Sequence, residues 1–232
     1  MNSVKYKRIN SLYLKKKKEI NSQLEELFKK KKPQSLYSPA SYILKNGGKR
    51  IRPMLLLFSA KAVGGSFAKV KHAALAVELL HSFSLVHDDI MDNADKRRNH
   101  LTLHKKYDLN TAILAGDSIL SIAYQELLKD LNSNSKNSID IFTTALIEVC
   151  EGQGYDKDFE TLKKVSIKNY KLMIQKKTAA LTQMCCHLGA VLGGGDKEQT
   201  KSLKLFGRYI GLRFKLEMIF WILPGMKINS EK

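Results

Sequence analysis

In the stretch HSFSLVHDDIMDNADKRRN (His81–Asn99) the apolar front half ends in three carboxylates, Asp88, Asp89 and Asp92, and their spacing limits what they can do. Asp88 and Asp92 are four residues apart, so on a helix their side chains share one face about one turn, ~6 Å, from each other. Such a pair suits a hard cation. Mg2+ takes one or two carboxylates and completes its octahedron with water and phosphate oxygens, so the pattern points to a diphosphate ligand, with Asp89 supporting the metal set. The alternative, an exposed acidic helix end, runs against the helix dipole, which disfavours negative charge at a C-terminus.

Cations surround this cluster in sequence. Arg97 and Arg98 follow it, and Lys49, Arg50 and Arg52 lie in GGKRIRP (Gly47–Pro53). Positive groups that no local acid balances, beside a metal-binding pair, suit a second anion, so two phosphorylated substrates are expected. Lys177 in KKTAAL is a third cationic point, with the Thr178 hydroxyl beside it. That motif alone fits a surface turn better. His81, between Leu80 and Ser82, reads by itself as a core histidine sooner than a ligand, and His87 as a residue orienting the helix end.

The elements that must hold these residues are helical. The chain has four prolines, and apolar residues recur at three- and four-residue spacing through Ile9–Leu27, Val70–Leu85, Thr111–Leu131, Ile139–Cys150 and Tyr170–Leu192. Breaks are expected at 31–39, 46–53, 63–66, 92–110, 132–138 and 193–198. Its 232 residues suit one all-α domain without repeats or a linker. The 40 Lys and Arg against 22 Asp and Glu give +18, which would attract nucleic acid or anionic lipid. No aromatics interleave with the lysine runs at 15–18 and 29–32, so these read as solvated faces, and no nucleic-acid partner is expected. Cys150, Cys185 and Cys186 have neither zinc-site spacing nor an even count, and read as small buried residues in a reducing compartment. With no leader pattern and no apolar run of membrane-spanning length, a cytoplasmic protein without integral membrane association is expected.

In GGKRIRP, ELLHSFSLVHDDIMDNADKRR, AILAGDSILS (Ala112–Ser121), GQGYDKDFE (Gly152–Glu160) and KTAAL (Lys177–Leu181), the chain resembles the trans-type polyprenyl diphosphate synthases. The farnesyl and geranylgeranyl diphosphate synthases belong to that group. The resemblance covers about Ser38 to Leu212, with the motifs in the family's order and spacing. It implies an isoprenoid-synthase bundle of long helices around a central cavity, normally a homodimer. It further implies that Asp88, Asp89 and Asp92 are the first aspartate-rich motif, whose Mg2+ ions hold the allylic diphosphate. Lys49, Arg52, His81 and Arg98 would hold isopentenyl diphosphate, and Arg97, Lys177 and Thr178 the allylic diphosphate. Catalysis then consists of charge stabilisation and positioning of two anions, without a side-chain nucleophile.

Phe83 precedes Asp88 by five residues, about 7.5 Å along the same helix, where a growing prenyl tail would pass. A ring there, with the small Ser84 beside it, would act as a floor and favour short or medium products. The loop RRNHLTLH departs from the family in having Asn99 and Leu101 where glycine and proline are usual.

The larger departure is the ending. The family's second aspartate-rich motif, phenylalanine–glutamine followed by Asp-Asp-x-x-Asp, would begin near Phe214, yet the chain reads RFKLEMIFWILPGMK without an aspartate. Joining the last base of each codon to the first two of the next tests for a change of frame. Met218–Ile219 and Trp221–Ile222 must each give an aspartate codon, Phe220–Trp221 a leucine and Met226–Lys227 a glutamate. The permissive joins between them allow QIRDDILDFTGDE, which is the missing motif. Residues 1–212 are therefore expected to be an incomplete polyprenyl-synthetase domain and 213–232 an out-of-frame tail. This leaves the shortened chain impaired. A non-catalytic subunit that modulates an active partner is the competing reading.

Overall fold

The computed structural model describes residues 3–131 and 135–222, with side chains described from Tyr6 to Leu131 and from Lys136 to Glu217. Each periodic segment is a helix. They are α1 (Ser3–Lys29), α4 (Lys71–Met91, after a 3-10 turn), α6 (Leu109–Lys129), α7 (Ser135–Thr161) and α8 (Ile167–Ile174). The last runs through a π-helical turn, Gln175–Ala179, into α9 (Ala180–Gly193), which α10 (Lys197–Ile222) follows. Two further helices, α2 (Gln34–Lys45) and α3 (Ile51–Ala62), occupy stretches where prolines signalled breaks. Pro53 sits in the first turn of α3, where its missing N–H has no helical acceptor to lose, whereas Pro39 lies inside α2 and is buried. The remaining elements are a hairpin, β1 (Lys96–Arg97) with β2 (His100–Leu101), and the short α5 (Leu103–Lys106).

Helix α4 is central: it packs along α6, while α3 lies along α9 and α10 covers α9. Residues 73 to 80 of α4 are all buried, as expected of a helix that is apolar on every side. Glu78 is the one charge in that run. Cys185 and Cys186 are buried as expected, but Cys150 is exposed, on the side of α7 turned away from the buried Val149. Lys16 lies 5.0 Å from the Phe67 ring and 2.6 Å from Glu19, and most of the other lysines in the two runs are solvated. Among the described residues no helix is long and apolar enough to cross a membrane. On α10, Phe206, Tyr209 and Phe214 are more than half exposed, at 51%, 63% and 57%.

His187 on α9 lines a cavity with Asp140 and Glu148 of α7 and Lys204 of α10. Burial, helped by Lys204, pushes its imidazole down from 6.5 to about 4. The fold therefore prefers the neutral ring, and that stability is present above pH 6.5 and lost as pH falls toward 4. Replacing His187 by Asn is expected to flatten the decline of melting temperature between about pH 7 and about pH 5. Parallel declines in the two proteins would refute this.

Candidate active site

The two carboxylates expected to bind metal sit where α4 ends. Asp88 is half-buried in the last turn, and the exposed Asp92 follows as the C-cap, its N–H donating to the Asp88 carbonyl at 2.8 Å. Burial pushes the Asp88 carboxyl up, with Asp92 and Asp89 adding to it, while Lys177 and Arg97 oppose. A carboxylate kept short of water beside like charges is relieved by a divalent cation, so this donor set fits Mg2+. Asp89 does not join it. Its side chain is buried, and Oδ1 accepts from Nε of Arg97 at 2.7 Å and from Nη2 at 2.6 Å. One residue along a helix is about 100° around the axis, which turns Asp89 from the Asp88 face toward the hairpin. Among the described residues no three acid, histidine or cysteine groups come together as a metal site.

The hairpin pairs Lys96 with Leu101 and Arg97 with His100, leaving Arg98 and Asn99 as its turn, at φ 52° and 67°. Two successive positive φ values mark a type I′ turn, and asparagine accepts that region more readily than most residues, so the glycine-to-asparagine departure keeps the turn. Leu101, at the other departure, continues β2, and its carbonyl accepts from the Tyr42 hydroxyl at 3.0 Å. The turn aims Arg98 Nη1 at the Gly47 carbonyl. A Cβ on Gly48, at φ 140°, would lie 2.7 Å from that same nitrogen, so the glycine pair lets the guanidinium seat itself.

The expected cations in GGKRIRP separate into two kinds. Lys49 is exposed and makes no ion pair among the described residues, while Arg52 Nη1 lies 2.9 Å from His81 Nε2. Burial, then Arg52, holds His81 well below the ordinary imidazole range, so the ring is neutral. It accepts from Arg52 at Nε2, which places its proton on Nδ1, a buried atom without a partner. Arg50 differs from the expectation of an unbalanced cation: it is paired with Glu78 at 2.6 Å, and both side chains are almost fully buried. The pairing was hidden because 28 residues separate the partners.

Lys177 belongs to the π-helical turn and pairs with Asp156 of α7. Its charge reaches Asp88, and Thr178 is half-buried on the same turn. The backbones approach closely here, since a Cβ on Gly152 would lie 2.2 Å from the Lys177 nitrogen. Gly152→Ala must push α7 from the turn, and a loss of about 1–3 kcal/mol in stability is expected. With it should go about a tenfold loss in Mg2+-dependent affinity for inorganic diphosphate, read by calorimetry. Unchanged affinity would show that Lys177 does not depend on this contact.

Ser84 shares the Asp88 face, being one turn earlier, and its hydroxyl is turned back to the His81 carbonyl at 2.9 Å. Phe83 lies further around the helix, with its ring centroid 4.5 Å from that of His87. His87 Nε2 in turn is 3.5 Å from Asp117 of α6. Three polar residues had no role in the sequence reading: Glu78, Asp156 and Gln153. Gln153 is 6% exposed, and neither amide atom has a partner. A charge inside AALAVELL (Ala73–Leu80) was the available signal for Glu78, because a buried carboxylate needs a partner.

Residues 33–217 match the sequence profile of the family described as Polyprenyl synthetase. The chain is 41% identical over 199 residues to a geranylgeranyl diphosphate synthase of Methanosarcina mazei, covering 85% of this chain and 61% of that one. A geranylgeranyl pyrophosphate synthase of Geoglobus acetivorans is 40% identical over 200 residues, with 85% and 62% covered. The crystal structure of a geranylgeranyl pyrophosphate synthetase from Pyrococcus horikoshii superposes with a TM-score of 0.87 at 37% identity, over 91% of this chain and 65% of that one. The chain thus spans less than two thirds of the length of these relatives and shares the all-α isoprenoid synthase fold. It belongs to the polyprenyl synthetase family.

Proposed function

We propose that this chain carries the substrate sites of a prenyltransferase of isoprenoid biosynthesis, which condenses isopentenyl diphosphate head-to-tail with an allylic diphosphate. The observation that carries the reading is the presence of two charged groups along the C-terminal half of α4. Asp88 and Asp92 stand with Lys177 nearby, and the Arg52–His81 pair, Lys49 and Arg98 form a second group. Mg2+ held by Asp88 and Asp92 would draw charge from the allylic diphosphate and make it a better leaving group. The allylic C–O bond breaks with its electron pair leaving on the diphosphate. The double bond of isopentenyl diphosphate then forms the new C–C bond, and the resulting cation gives up a proton to the departed diphosphate.

The chain's own residues orient and neutralise. Arg97, braced by Asp89, and Lys177, braced by Asp156, face the allylic diphosphate with Thr178. Neutral His81 leaves the charge of the second site to Arg52, Lys49 and Arg98. Ser84, below Asp88, and the bulky Phe83 favour a short or medium product. The site of action is the cytoplasm, and the full-length relatives' expected homodimer extends to an intact form of this protein. Calorimetry with geranyl diphosphate tests the reading: binding with Mg2+ and none in EDTA is expected, and Mg2+-independent binding would refute it.

Residues from about Arg213 to Lys232 are, in this reading, translated out of frame. The forced codon joins support it. Positions 218–222 lie on the α10 backbone, but their side chains, and residues 223–232 entirely, fall outside the described residues. The 232-residue chain is accordingly impaired in turnover. The uncovered Phe206, Tyr209 and Phe214 favour a second reading, a non-catalytic subunit that binds an active partner.

A further inference from the structure

We propose that Arg50 is a positioning residue for the second anion site, and that Glu78 is buried in α4 to hold it; the inference rests on the functional reading above. Arg50 is 5% exposed, and its guanidinium is spent on the protein. Nε donates to Asn21 Oδ1 of α1 at 2.8 Å, Nη1 to Glu78 Oε1 of α4 at 2.6 Å, and Nη2 to the Leu44 carbonyl of α2 at 2.6 Å. Arg50 is itself the N-cap of α3, so one side chain ties four helices together.

Its backbone shows the same constraint. Arg50 has φ 51° and ψ 37°, a left-handed conformation that an arginine keeps only where its surroundings over-determine it. That conformation sets the exit of the glycine loop, between the exposed Lys49 and the half-buried Arg52 in the first turn of α3. Arg50, Glu78 and Ser82 line a crevice with Asn46, Arg97 and Arg98. Because Glu78 already balances Arg50 there, Arg50 adds little net attraction for an anion; its part is geometric.

Arg50→Lys separates geometry from charge, since lysine keeps the charge but cannot make three divergent planar bonds. Isopentenyl diphosphate affinity in EDTA is expected to fall about tenfold or more, with Mg2+-dependent geranyl diphosphate affinity within about twofold of wild type. Amides 46–52 should also exchange faster with deuterium. Glu78→Gln gives the opposed sign: charge attraction alone expects tighter isopentenyl diphosphate binding in the more positive crevice, positioning expects weaker. Wild-type affinity in Arg50→Lys, equal loss of both ligands, or tighter binding by Glu78→Gln would each overturn the proposal. If wild type binds neither diphosphate, the functional reading fails, and unchanged exchange of amides 46–52 in Arg50→Lys would then overturn the positioning role separately.

Discussion

Asp88→Asn is expected to abolish Mg2+-dependent binding of geranyl diphosphate, a loss on the order of 100-fold or more, while leaving isopentenyl diphosphate binding in EDTA intact. The carboxylate it removes is half of the metal pair, and the described residues offer no third acid to replace it. The same variant should melt at a higher temperature than wild type in EDTA. Burial raises the Asp88 pKa in the fold, so ionised Asp88 opposes folding at neutral pH, and the neutral amide removes that opposition. Loss of binding together with a gain in stability separates a functional carboxylate from a structural one. Asp89→Asn should behave differently, weakening binding about tenfold through a released Arg97 and lowering the melting temperature, because it leaves a half-buried cation without its partner. If the two variants act alike, the division of roles drawn from their geometry is wrong.

Restoring one base near codon 213 should raise prenyl-product formation by at least about 1,000-fold over the 232-residue chain, assayed with isopentenyl and geranyl diphosphates and Mg2+. The restored frame reads an aspartate at the joins Met218–Ile219 and Trp221–Ile222, and permits a third at Glu217–Met218. Helix α10 already carries its backbone through those positions. The change therefore needs no new element before the motif, only the carboxylates on a helix that exists, with the in-frame chain beyond them covering Phe206, Tyr209 and Phe214. Robust product formation by the purified 232-residue chain, or a restored frame that closes without further helices, would defeat the idea.

Much of the fold was legible because helical burial is periodic. The segments around α1, α4, α6, α7 and α8–α9 each repeat apolar residues at three and four, and each is a helix. The two that were missed, α2 and α3, were obscured by Pro39 and Pro53, whose cost depends on a position within the helix that composition does not reveal. The π-helical turn under Lys177 was equally invisible, as it is settled where the α7 backbone meets it at Gly152.

By itself the sequence determined which chemistries are present and in what order: a carboxylate pair at helical spacing, cations without local acids, and a tail whose residues permit an aspartate-rich motif in another frame. Tertiary structure alone decided which charges cancel. Arg50 is balanced by Glu78 and Arg97 by Asp89, while Lys49 makes no ion pair among the described residues. The reason is physical: helical spacing is a local property that follows from 3.6 residues per turn, whereas an ion pair across 28 residues depends on how α3 and α4 pack against each other.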